Sequence, residues 1–123
     1  MKTVKPTDST TEIIKVAITD DHVLYRAGVK TALGMKKDIQ VVFEADNGMH
    51  LLNMLKSIQP DVILLDVQMP IMDGFEATRQ IRQRWVNPEQ RPYIIAMTAH
   101  ALRGYREQCI EAGMDEYVTK PIH

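Results

Sequence analysis

Val62-Ile63-Leu64-Leu65-Asp66-Val67-Gln68-Met69-Pro70-Ile71-Met72-Asp73-Gly74 is the stretch that decides the fold. Its first four residues are continuously apolar, as a strand covered on both faces should be. The run stops at a carboxylate. Asp66 therefore stands at the carboxyl end of a strand, the edge at which ligands bind in open α/β sheets.

Outward from this stretch, short apolar runs alternate with longer segments of helical period. Residues 13–18 read as a first strand that stops at Asp20-Asp21. The next segment places Leu24, Ala27, Gly28, Thr31, Ala32 and Met35 on one helical face. Residues 39–43 are a second strand, and Leu51, Leu52, Leu55 and Ile58 mark a second helix ended by Pro60. After Asp66, Ala77, Thr78, Ile81 and Trp85 give a third helix, and Asn87-Pro88 breaks the chain. Residues 93–97 are a fourth strand. Leu102, Tyr105, Cys109 and Ala112 form a fourth helical face closed by Gly113, and residues 116–119 are a fifth strand. The order βαβαβαβαβ implies an α/β domain with a parallel sheet and helices on both faces.

Composition narrows the classes. The chain has 123 residues, enough for one domain with its own core. A net charge of -1 gives no support for capture by nucleic acid or an anionic membrane. No apolar run reaches the roughly 18 residues of a membrane span. The single cysteine, Cys109, fits a reducing compartment and reads as a small core side chain. A cytoplasmic protein is expected. Residues 1–12 read as a disordered or cloning-derived tail, and residues 13–123 as the domain.

The polar residues that follow the apolar runs are Asp20 and Asp21, Asp66, Thr98 and Lys120, delivered by separate strands to one rim. Singly, each has a bland reading: a helix N-cap, a turn threonine, a surface lysine. Together they are hard to ascribe to chance. Three converging carboxylates repel unless a cation joins them or their pKa values rise. Oxygen ligands suit Mg²⁺, with Mn²⁺ as the substitute. Lys120 and the Thr98 hydroxyl can then contact phosphoryl oxygens, leaving Asp66 as the nucleophile that forms an aspartyl phosphate.

With these residues in view, the sequence resembles the receiver domains of two-component response regulators and hybrid histidine kinases. The resemblance covers residues 13–121. It rests on the stretch from Val62 to Gly74, on Asp20-Asp21, on Ala96-Met97-Thr98-Ala99 and on Lys120-Pro121, in that family's order. It implies a flavodoxin-like doubly wound sheet of strand order 2-1-3-4-5. It implies Asp66 as phosphoacceptor, with Asp21 and Asp66 on Mg²⁺, Asp20 close by and the Gln68 backbone carbonyl completing the shell. Thr98 and Lys120 would contact the phosphoryl group, Tyr117 would be the aromatic switch, and the Lys120–Pro121 bond would be cis. Gln68 and His100 would flank the phosphoryl group and tune its hydrolysis. The partner would be a histidine kinase or a histidine phosphotransfer protein, and the domain would not be an enzyme beyond self-phosphorylation and self-dephosphorylation.

Two rival functions are weaker. A phosphatase of the haloacid-dehalogenase type needs a second Asp where Gln68 stands. A receiver-like module that is never phosphorylated would not need the full acid, Thr98 and Lys120 set. His22 reads as a solvent-facing residue of the first helical turn. The front half, residues 20–28, looks like receivers of DNA-binding regulators. The back half, residues 94–101 and 111–117, looks like receivers of hybrid kinases, so a mosaic, natural or engineered, or simply a divergent lineage is a further expectation.

Receivers continue into a fifth helix, which this sequence apparently lacks. The face that helix would cover draws on strands carrying Val62, Leu64, Ile94, Ala96 and Val118. Leaving roughly 300 Å² of it bare forfeits roughly 7 kcal/mol. A longer natural chain, self-association, or another chain on that face is therefore expected.

Overall fold

The structure, a computed structural model, describes residues 12–99 and 103–120. Five strands, β1 (Ile14–Thr19), β2 (Ile39–Ala45), β3 (Val62–Asp66), β4 (Tyr93–Thr98) and β5 (Glu116–Thr119), pair in parallel in the order β2-β1-β3-β4-β5. Four helices connect them: α1 (Val23–Gly34), α2 (Gly48–Met54), α3 (Gly74–Arg84) and α4 (Tyr105–Glu111). This is the flavodoxin-like arrangement expected. The tail, His100, Leu102 and Pro121 with its peptide bond lie outside the described residues, as do Ile122 and His123.

Alternation along the strands sorts the side chains into two layers. Ala17, Ile63, Leu65, Ile94 and Ala96 point to one face, where they meet Leu51 and Leu52 of α2, Ala77 and Ile81 of α3, and Tyr105 and Cys109 of α4. That layer is dry. The opposite layer is covered at β1, where Val16 and Ile18 are buried, and opens toward β5, where Val62, Leu64 and Ile95 are half-buried and Val118 is 45% exposed. One expectation changes here: the central strand is fully covered on one face only. Of the residues carried by the strands of the open face, Val62, Leu64 and Val118 point to it, while Ile94 and Ala96 belong to the closed layer.

Helix α1 departs most from the sequence reading. No residue of it is buried. Leu24, Ala27, Gly28, Thr31, Ala32 and Met35 do share a face, but that face meets solvent, with Leu24 87% and Met35 81% exposed. The half-buried side is Tyr25, Arg26, Val29 and Leu33. Both sides of the helix carry apolar residues, so periodicity alone does not choose the inner one. The other helices fall within the segments read as helical, with α4 starting only at Tyr105, after the left-handed Gly104, and Leu102 outside the described residues. α2 ends before Pro60, with Leu55 as its C-cap. α4 ends in a Schellman turn: the Gly113 N–H donates to the Ile110 carbonyl (3.0 Å) and the Met114 N–H to that of Cys109 (3.1 Å). Gly113 takes φ 107°, which a side chain would strain.

Candidate functional site

The carboxyl edge of the sheet gathers the acids. Asp20 follows β1 directly and is fully buried. Its N–H donates to the Ala45 carbonyl (3.0 Å), its carbonyl accepts from the Arg26 guanidinium, and its Oδ1 accepts from the His22 N–H (2.9 Å). The group is thus held from three sides. Asp66 ends β3 and is also buried; beside it the Val67 N–H pairs with the Met97 carbonyl (2.9 Å). Asp21 sits half-buried between Asp20 and the start of α1. Ligand atoms of Asp20, Asp21, His22 and Asp66 all lie within 4.8 Å of one another.

Lys120 enters from the far side of the sheet. Its N–H donates to the Thr98 carbonyl (2.7 Å), and its ammonium reaches 2.8 Å from Asp20 Oδ2 and 3.4 Å from Asp66 Oδ1. One lysine cannot satisfy the set: Asp66 Oδ2 is buried with no hydrogen-bond partner. Burial, with the charge of Asp20 added, pushes the Asp66 carboxyl up to about 7, against the opposing pull of Lys120. Burial alone would lower the Lys120 ammonium, but its contacts with Asp20 and Asp66 more than reverse that and raise it. A buried, unpaired carboxylate oxygen beside two further carboxylates is a donor set fitted to a hard divalent cation.

The loop after β3 explains part of the opening stretch. The Asp73 side chain caps α3 by accepting from the Glu76 N–H (2.9 Å). A Cβ on Gly74 would lie 2.6 Å from the Asp66 carbonyl oxygen, so only glycine lets α3 start against the backbone of the acidic residue. Gln68 is exposed on this loop. Thr98 is buried at the end of β4. Tyr117 is half-buried on β5.

Three participants escaped the sequence reading. The Tyr25 ring lies 4.6 Å beneath the Lys120 ammonium. Arg26 ties the Asp20 carbonyl to Glu44 (3.0 Å) on β2, while Lys30 pairs with the same carboxylate at 2.9 Å. His22 is exposed, yet its Nδ1 lies 3.2 Å from Asp20 Oδ1, 3.6 Å from Asp21 Oδ1 and 3.3 Å from Lys120 Nζ. The available signal was position: Tyr25 and Arg26 lie one helical turn beyond Asp20-Asp21.

A family model described as the response regulator receiver domain matches residues 16–123. Over 114 residues the chain is 40% identical to hybrid signal transduction histidine kinase I of Dictyostelium discoideum, covering 89% of this chain but only 6% of that kinase. This one relative aligns across both halves, so a chimeric origin is not needed. The signal receiver domain of the response regulator NarL from Mycobacterium tuberculosis superimposes with a TM-score of 0.81 at 33% identity, over 91% of this chain and 87% of that one. The receiver domain of Ssk1 from Saccharomyces cerevisiae, solved together with the histidine phosphotransfer protein Ypd1, does so at 0.79 and 26% identity, over 91% and 81%. With the acid cluster on the predicted edge of the predicted sheet, these likenesses place the chain in the response regulator receiver family, the phosphoacceptor domains of two-component and phosphorelay signalling.

Proposed function

We propose that Asp66 is the phosphoacceptor of this domain. The observation that carries the proposal is the buried Asp66 Oδ2 without a partner, set among Asp20, Asp21 and Lys120. The donor is a phosphohistidine on a histidine kinase or phosphotransfer protein, as the Ssk1 complex suggests by analogy. In the transfer, the phosphorus–nitrogen bond to the histidine breaks, a phosphorus–oxygen bond to Asp66 forms, and the imidazole leaves with its electron pair. Asp21 and Asp66, with Asp20 alongside and the Gln68 backbone carbonyl, would hold Mg²⁺ or Mn²⁺. When bound, the ion supplies positive charge to the phosphoryl oxygens.

The remaining residues position and compensate charge. Lys120 is held at the acids by Asp20 and Asp66 and would pair with a phosphoryl oxygen once Asp66 is phosphorylated. Thr98 would donate its hydroxyl to a further oxygen. That movement opens space for Tyr117 and alters the surface formed by α4 and β5, a shift of population driven by contacts available only in one state. Gln68 and His100 would flank the phosphoryl group and set its lifetime. The domain acts stoichiometrically, its only turnover being its own phosphorylation and dephosphorylation. Among the described residues no helix is long and apolar enough to cross a membrane, and we place the domain in the cytoplasm with its phosphodonor.

Acetyl phosphate labelling followed by intact mass tests the reading. One phosphoryl group per chain, dependent on Mg²⁺ and lost in Asp66→Asn, is expected. Steady turnover without a modified protein would favour a phosphatase instead.

A further inference from the structure

Lys120 reaches the acids from the edge of the sheet. It follows β5, while Asp66 ends β3, and β4 stands between them. Its backbone is fixed by the bond to the Thr98 carbonyl (2.7 Å). The side chain beyond is a flexible stem with large rotameric freedom, so the ammonium needs contacts of its own. Three polar atoms meet it: Asp20 Oδ2 at 2.8 Å, Asp66 Oδ1 at 3.4 Å and His22 Nδ1 at 3.3 Å. A further neighbour is aromatic. The Tyr25 ring lies with its centroid 4.6 Å from the ammonium. Tyr25 is half-buried in the first turn of α1. The next residue, Arg26, bonds the Asp20 carbonyl and Glu44 (3.0 Å), so this turn is tied to the acid edge. Lys120 is only 8% exposed, which leaves little water to weaken the attraction between an ammonium and a ring face.

These contacts differ in what the proposed reaction does to them. A divalent cation takes up carboxylate oxygens of the acid cluster and repels the ammonium that now pairs with two of them. Phosphorylation turns the Asp66 carboxylate into an acyl group whose charge lies further out, on the phosphoryl oxygens. The ring changes in neither event. Burial raises the Tyr25 hydroxyl above its usual pKa, so the ring stays neutral, and its quadrupole attracts the ammonium whatever the acids hold.

We infer that Tyr25 is the positioning residue for Lys120: its ring face keeps the ammonium at the acid edge when a divalent cation enters and when Asp66 carries the phosphoryl group. The inference rests on the phosphoacceptor reading above and adds to it the residue that holds its fixed positive charge in reach. A side chain that merely filled this space could be replaced by another of similar bulk. A cation–π contact requires the ring and dispenses with the hydroxyl.

The test compares Tyr25→Phe, which keeps the ring, with Tyr25→Leu, which does not; Tyr25→Met takes the place of the latter should it not fold. The first readout is the Lys120 ε-methylene proton resonance of the metal-free protein. It is expected upfield of the free lysine position in wild type and Tyr25→Phe, from the ring current, and at that position in Tyr25→Leu. The second is affinity for beryllofluoride with Mg²⁺, a stand-in for the phosphoryl group. Tyr25→Leu is expected to bind it roughly three- to tenfold more weakly than wild type, and Tyr25→Phe within about twofold. The third is affinity for Mg²⁺ alone, expected unchanged or tighter in Tyr25→Leu, because a loosened ammonium repels the ion less. Equal beryllofluoride binding by Tyr25→Leu overturns the inference, as does an equal loss in Tyr25→Phe. Weaker Mg²⁺ binding by Tyr25→Leu also overturns it, by showing that the acid edge itself was disturbed. Failure of the wild type to bind beryllofluoride, with the ring-current shift in place, overturns the phosphoacceptor reading and the positioning role with it.

Discussion

At the scale of single residues, the site is destabilised by its own charges. Asp66 carries a carboxyl pushed up to about 7, chiefly by burial and then by Asp20. A carboxyl raised in the folded state costs no stability below its unfolded pKa, where both states are protonated. The cost grows as pH rises from about 4 to about 7 and is full above that. Holding the charge at neutral pH therefore costs on the order of a few kcal/mol. Asp66→Asn is expected to raise the melting temperature at pH 7.5 and to leave it nearly unchanged at pH 4. Mg²⁺ is expected to stabilise wild type far more than the variant, because binding to the folded state alone raises stability. Thermal melts across pH, with and without Mg²⁺, check all three. The main acids, Thr98 and Lys120 were legible because each follows an apolar run, a strictly local pattern. Tyr25 was not, because its partner Lys120 lies at the other end of the chain.

At the scale of elements, one side chain joins parts that no local pattern connects. Arg82 of α3 donates to the Gly113 carbonyl (2.7 Å), to the Pro92 carbonyl (2.9 Å) and to Asp115 Oδ2 (2.7 Å). Asp115 Oδ2 in turn accepts from the Ile94 N–H (2.9 Å). The cluster pins α3 to the turn before β5 and to the start of β4. It is largely buried, so removing the guanidinium strips two carbonyls of their partner and leaves Asp115 with only the more distant Arg91 (3.4 Å) to offset its charge. Arg82→Ala is expected to cost about 3 kcal/mol, measured by chemical denaturation, whereas the exposed Arg79→Ala should cost under about 0.5 kcal/mol. An equal cost for the two would show that the cluster contributes little. Strand positions were legible within a residue or two because apolar runs end where the sheet ends. The helices were legible as helices, but the inner face of α1 was not. Its outer stripe is as apolar as its inner one, and only packing against β1 and β2 decides between them.

At the scale of the whole molecule, the two layers are unequal. The layer under α2, α3 and α4 is closed, while the layer under α1 opens toward β5. Leu24 and Met35 meet solvent on the outer face of α1. Leu24→Ala and Met35→Ala are therefore expected to change stability by less than about 0.5 kcal/mol each. A loss of about 2 kcal/mol or more would mean that this face is buried in solution. The open layer leaves the acid edge unaffected, because Asp20, Asp66, Thr98 and Lys120 are all buried where they stand. The whole account turns on that edge accepting a phosphoryl group at one atom. Borohydride reduction after Mg²⁺ and acetyl phosphate treatment reads this directly, since it converts an acyl phosphate to an alcohol at the modified residue. Peptide mapping is expected to show homoserine at position 66 alone. Reduction at another carboxylate, or at none in a protein that remains folded, would contradict the assignment of Asp66.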